Sequence, residues 1–162
     1  MFFDEARFGT HSKIGHGWFP KGFRTGQKVN LGFKNFYVYS TINPKTGDDL
    51  TFFMPKVNTD CMNLYLQELS LHLAETKAII VMDQAAWHKS KKLVVPHNIE
   101  IELLPPYSPE LNPVERFWRY IKRHTIHNKC FAAIADIESS ITTFLQATTA
   151  NTIHNLCDIK YT

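Results

Sequence analysis

At 162 residues and 18.7 kDa, 44% hydrophobic and 20% charged, the chain has the size of one domain and enough apolar surface for a packed core, which excludes a multidomain or mainly disordered protein. The net charge of +3 is too small to announce a nucleic-acid protein by itself, but it is uneven: residues 111–130 carry five basic side chains against one acidic. The longest apolar runs, such as Ala78 to Met82, fall far below the roughly 18 to 20 residues of a membrane span, and three widely spaced cysteines argue against a disulfide framework, so a cytoplasmic protein with free thiols is expected.

The chain opens Met1-Phe2-Phe3-Asp4-Glu5, without the basic and apolar regions of a secretory signal, and Phe2 to Phe8 reads as a strand. All seven glycines lie between Gly9 and Gly47, which marks a loop-rich opening. Leu31 to Ile42 is aromatic and β-branched enough to be a second strand, Asn43 to Asp48 is a turn, and Leu50 to Met54 returns as the third strand of an antiparallel meander. Apolar positions then recur at near helical period from Met62 to Leu73, predicting a helix over 60–76 with Asp60 as its N-cap. Ala78 to Met82 is continuously apolar, the signature of a strand covered on both faces, and it ends at Asp83. Ile99 to Leu104 is a short strand, and Pro105, Pro106, Pro109 and Pro113 hold the chain extended until a helix runs from Asn112 to about Ile126. A last amphipathic helix covers roughly 134–149. This order is a mixed sheet with helices packed against it, one α/β domain over 1–162.

Asp83 stands at the carboxyl end of an apolar strand, where open α/β sheets place their sites, although a turn or N-cap aspartate fits the same position. Asp4 and Glu5 alternate to opposite sheet faces, so only one of them can join Asp83, or both are an ordinary solvated pair. Asn112-Pro113-Val114-Glu115 reads as a capping box with proline at N1, yet Glu115 also borders the packed stripe Val114, Trp118, Ile121 and Thr125 and can point along the sheet edge toward Asp83. Three carboxylates converging there would repel one another unless a hard cation, Mg²⁺ or Mn²⁺, neutralised them. Two such ions can activate an attacking oxygen and stabilise a leaving one at a phosphodiester.

Three segments carry a resemblance: Phe3 to Gly9 (FDEARFG), Asp83 to His88 (DQAAWH) and, most specifically, Leu104 to Trp118 (LPPYSPELNPVERFW). They resemble the three acidic motifs of DDE transposases, in particular the bacterial insertion-sequence branch of the mariner superfamily. Trp18 with Pro20-Lys21-Gly22 resembles that family's hairpin after the first acid. The resemblance implies an RNase H-like fold, a five-stranded mixed sheet in which the antiparallel meander is joined by two parallel strands and flanked by helices. It also implies a catalytic and metal-binding triad of Asp4, Asp83 and Glu115 with two Mg²⁺ or Mn²⁺ ions when DNA is bound, Glu5 being a neighbour that points elsewhere. His88 is a secondary candidate near the scissile phosphate, and a satisfied structural histidine fits its position equally well. Gln84 departs from the family, which usually has asparagine there. The implied activity is metal-dependent DNA strand cleavage and strand transfer in the bacterial cytoplasm or nucleoid.

Lys21, Arg24, Arg116, Arg119 and Lys122 are the expected DNA contacts, on a Gly-rich loop with interleaved aromatics and on a basic helix beside Glu115, although a solvated helix face accounts for the helical charges equally well. The family's helix-turn-helix is expected to be absent before Asp4, which points to a partner polypeptide from an upstream frame, to a homodimer, or to a truncated and inactive remnant. A rival from another class is a noncatalytic nucleic-acid-binding module, stabilised by zinc on His124, His127, Cys130, His154 and Cys157.

Overall fold

The computed structural model describes residues 1–11, 20–22, 26, 30 and 32–159. The described chain runs β1 (Phe2–Gly9), β2 (Asn35–Ile42), β3 (Asp49–Met54), α1 (Thr59–Leu73), β4 (Ala78–Met82), β5 (Ile99–Leu103), α2 (Val114–Thr125), α3 (Ile134–Ala147) and α4 (Ala150–Cys157), with a single 3₁₀ turn, Pro109–Leu111, leading into α2. The strands form one sheet in the order β3-β2-β1-β4-β5. β1 to β3 are an antiparallel meander, and β4 and β5 join β1 in parallel, the mixed arrangement expected from the sequence.

Because side chains alternate along a strand, β1 feeds two cores. Ala6 and Phe8 pack with Val38, Val114, Phe117, Trp118 and Ile121 on the side covered by α2, α3 and α4. Phe3 packs with Tyr39, Tyr65, Leu66, Ile80 and Met82 under α1. The tight turn between β2 and β3 is pinned to α4, where His154 Nδ1 meets the Pro44 carbonyl at 2.8 Å. Gly47 in that turn has φ +75° and lies so close to the Ala150 carbonyl that a Cβ would overlap it, so only glycine fits.

Four local expectations change. Asn58, not Asp60, caps α1, its Oδ1 accepting from the Cys61 N–H at 2.9 Å, and Asp60 sits in the first turn, where its charge suits the helix dipole. The same helix stops at Leu73 because the Asn98 amide takes the carbonyls of Ser70 and Ala74. The helix expected over 134–149 forms as α3 but is not the last: Thr148 turns extended after it, and Thr149 starts α4 by accepting from the Thr152 N–H. β4 is covered on one face only, since Ile80 and Met82 are buried under α1 whereas Ile79 is 52% exposed on the other side.

Candidate active site

β1 sends Asp4 to the α2 side, where the Trp118 indole N–H donates to Asp4 Oδ2 at 3.0 Å. Phe2 pairs with Val81 across the parallel β1–β4 ladder, so Asp4 and Asp83, each two residues farther on, reach the same level of the sheet. Asp83 is the first residue past β4. Its Oδ1 accepts from the Ala85 N–H at 3.0 Å and faces His88 Nδ1 at 2.8 Å, while 58% of the side chain is open to solvent.

Glu115 comes from the first turn of α2, and the capping box anticipated from Asn112 to Glu115 does not form. Pro113 takes the cap position in the helical region, Asn112 Oδ1 accepts from the Val114 N–H, and Glu115 is left exposed. The Asn112 amide instead donates to the Phe3 carbonyl at 2.9 Å, fastening the start of α2 to β1 directly beside Asp4. As a result Asp4, Asp83 and Glu115 all line one cleft of about 630 Å³, with Gln84, Lys89, Tyr107 and Asn112 among its other walls.

Burial pushes the Asp4 carboxyl up to about 8, and the nearby charges of Glu115 and then Glu5 push the same way. Asp83 moves in the opposite direction, held below the usual carboxylate range chiefly by its hydrogen bond with His88. Burial alone would lower His88, but its bonds to Asp83 and Glu5, with the Glu5 charge, outweigh that and raise it to about 9. Mutual repulsion among oxygen-only donors is the electrostatic setting that favours a hard divalent cation, so the donor chemistry fits Mg²⁺ or Mn²⁺. Among the described residues, no three His, Cys, Asp or Glu side chains are drawn close enough to hold a metal as they stand. Of the five late residues weighed for zinc, three have other partners: His124 Nδ1 meets the Tyr120 carbonyl, His154 serves the Pro44 turn, and Cys157 is buried against the Pro113 carbonyl.

Glu5 faces the α1 side, where its Oε1 accepts from the Trp87 indole and faces His88 Nε2 at 3.2 Å. His88 is buried and absent from the cleft wall. Of the expected DNA contacts, Lys122 lies along a groove of about 580 Å³ that shares Glu115 with the cleft, its ammonium 5.4 Å from the centre of the Phe8 ring. Arg116 and Arg119 are exposed on α2 but line neither cavity, Lys21 is exposed, and Arg24 and Trp18 lie outside the described residues. Three cleft residues escaped the sequence reading. Lys89 had a signal in its place directly after His88. Tyr107 is fully exposed with φ +58°, and Asn112 was taken only for a cap. Gln84 donates to the Leu104 carbonyl at 3.0 Å and accepts from Lys89, which gives the departure from asparagine a structural use.

Residues 1–138 match the sequence model of the family described as DDE superfamily endonuclease. An uncharacterized protein of Sinorhizobium fredii, y4pE/y4sA, is 35% identical over 102 residues, covering 62% of this chain and 76% of that protein. The Mos1 transposase in its paired-end complex with the left transposon end superposes with a TM-score of 0.72 at 16% identity, over 96% of this chain and 50% of the other. The catalytic domain of the Mos1 mariner transposase matches with a TM-score of 0.64 at 11% identity, over 96% of this chain and 74% of the domain. A further Mos1 paired-end complex, with Mg, gives 0.71 at 15% identity over 96% of this chain and 50% of the other. The present chain therefore spans about half the length of the Mos1 transposase in those complexes. At such identities the likeness is one of fold, and the fold is the RNase H-like one that the motifs implied.

Proposed function

Because the chain belongs to the DDE superfamily of endonucleases, we propose that it is the catalytic domain of a transposase, which hydrolyses DNA strands and joins the freed 3′-OH to target DNA. The observation that carries this reading is the gathering of Asp4, Asp83 and Glu115, from three separate elements, on the wall of one cleft. These three would hold Mg²⁺ or Mn²⁺. Two such ions, when bound, supply activation of the attacking oxygen and charge stabilisation at the leaving one.

The chain's own residues set the geometry around that chemistry. The Trp118 indole orients Asp4 from its buried side, and Asn112 keeps α2, and with it Glu115, in register with β1. Asp83 keeps one oxygen tied to the protein and turns an exposed carboxylate to the cleft. Lys89 at the cleft and Lys122 along the adjoining groove are placed to receive phosphates, and Lys21, Arg24, Arg116 and Arg119 are the further basic residues of the proposed DNA contacts. In the cutting step a water oxygen bonds to phosphorus as the P–O3′ bond breaks, leaving a 3′-OH and a 5′-phosphate. In the joining step that 3′-OH attacks a target phosphodiester, and the target's own 3′ oxygen leaves.

The test is cleavage of supercoiled plasmid in Mn²⁺ or Mg²⁺. Wild type is expected to nick it and Glu115→Gln to leave it intact with an unchanged melting temperature. Equal cutting by both proteins, or none by wild type with either ion, overturns the reading. Because these contacts are made to phosphates, log affinity for DNA is expected to fall with log salt at roughly −0.9 per phosphate neutralised.

A further inference from the structure

The adjacent carboxylates of β1 have separate destinations. Asp4 lines the cleft, whereas the Glu5 side chain is 6% exposed on the opposite sheet face. One oxygen of Glu5, Oε1, serves both the Trp87 indole and His88 Nε2. The His88 side chain is completely buried, with its ring edge-on to Phe3 at 5.6 Å between centroids. Its other nitrogen, Nδ1, faces Asp83 Oδ1 at 2.8 Å and the Asp83 carbonyl at 3.1 Å. The imidazole is thus clamped between a buried carboxylate on one side and the half-exposed Asp83 on the other.

That arrangement is costly unless it serves something, because burying a carboxylate and an imidazole gains little over apolar packing of the same volume. Here it fixes a torsion. An aspartate as exposed as Asp83 samples several rotamers and offers either oxygen to the cleft. With Oδ1 taken by the His88 ring and the Ala85 N–H, the carboxylate plane is set and Oδ2 is the oxygen left to the cleft.

We propose that Glu5, acting through His88, is a positioning residue for Asp83, so that one strand supplies both a cleft carboxylate and the anchor of the carboxylate opposite it. Neither Glu5 nor His88 touches the reacting phosphate. The inference rests on the proposed role of Asp83 as a metal ligand.

The test uses the whole chain, free of DNA, titrated with Mn²⁺, together with melting temperature and with kcat and KM for plasmid cleavage. His88→Ala removes the clamp. His88→Asn keeps an amide donor near the place of Nδ1 but cannot reach Glu5, and Glu5→Gln keeps an acceptor oxygen without the charge. His88→Ala is expected to weaken Mn²⁺ binding about tenfold or more, as loss of a ligand's hydrogen-bond partner does elsewhere, and to lower kcat while KM for DNA stays put. His88→Asn should recover part of the affinity. Adding Glu5→Gln to His88→Ala should cost no further Mn²⁺ affinity, because the two act along one chain of contacts. Variants that melt lower yet bind Mn²⁺ and turn over like wild type would reduce the pair to packing and overturn the inference. If Glu115→Gln abolishes Mn²⁺ binding and His88→Ala does not, this inference alone falls. If wild type binds no Mn²⁺, it falls together with the proposed function.

Discussion

The two faces of β1 treat neighbouring acids in opposite ways. On the α1 face Glu5 is buried with two donors, the Trp87 indole and the His88 ring. On the α2 face Asp4 has the Trp118 indole as its side-chain donor and feels the charges of Glu115 and Glu5, which with burial carry its carboxyl up to about 8. One acid is satisfied by the fold, and the other is held under repulsion. The contrast separates a carboxylate whose partners the fold supplies from one whose repulsion is relieved only when a counter-charge arrives.

The sharpest way to break this contrast is Asp4→Asn. Cleavage should fall roughly 10³-fold or more, while the DNA-free protein becomes more stable by about 1 kcal/mol, read as plasmid nicking and as urea denaturation. On the other face Glu5→Ala should cost about 3–5 kcal/mol in the same denaturation measurement, because it leaves the Trp87 indole and the buried His88 Nε2 without their shared acceptor. Mn²⁺ at a hundred times its dissociation constant should add about 2.7 kcal/mol to wild type in thermal melts, and the gain should vanish in Asp4→Asn.

The pH dependence of the melting temperature is expected to carry one sign from both faces. His88, near 6.5 when unfolded and raised to about 9 when folded, contributes fully below pH 6.5 and loses its contribution as pH rises through 9. Asp4, near 3.8 unfolded and about 8 folded, imposes a penalty that grows between pH 4 and 8. The apo protein should therefore melt progressively lower from pH 6.5 to 9, and Asp4→Asn should flatten the part below pH 8. The smallest effect is Tyr107→Gly, which should add about 1 kcal/mol in urea denaturation by relieving a left-handed backbone without touching either face.

Period and punctuation made much of the fold legible. The apolar run of β4, the meander before it and the proline-held entry to α2 all follow from local chemistry, and the three acidic motifs led to the carboxylates that line the cleft. What stayed hidden depends on partners distant in sequence. Asn98 ends α1 from 24 residues away, whereas α4 goes unread beyond the expected 134–149 helix despite a local sign, Thr149 as its N-cap. The companion of Glu5 lies 83 residues downstream, so alternation could say that Asp4 and Glu5 part but not what either one meets. For His88 the motif beside Asp83 allows a role near the phosphate and a structural one equally, and the ring turns inward.

The Asn112 bond to the Phe3 carbonyl spans 109 positions, and it has a consequence for the birth of the protein. β1 is made more than a hundred residues before α2, yet it is the middle strand, flanked by β2 and β4. At ribosomal speeds of about 5–20 residues per second, the tip of β1 waits on the order of 10 s before α2 leaves the exit tunnel and covers it. Through that interval Phe8 and Ala6 lack the apolar cover they have in the finished fold, and the cleft has no third wall. A nascent chain interrupted before α2 therefore carries Asp4 and Asp83 without Glu115 and without the Asn112 bond that fastens α2 beside them.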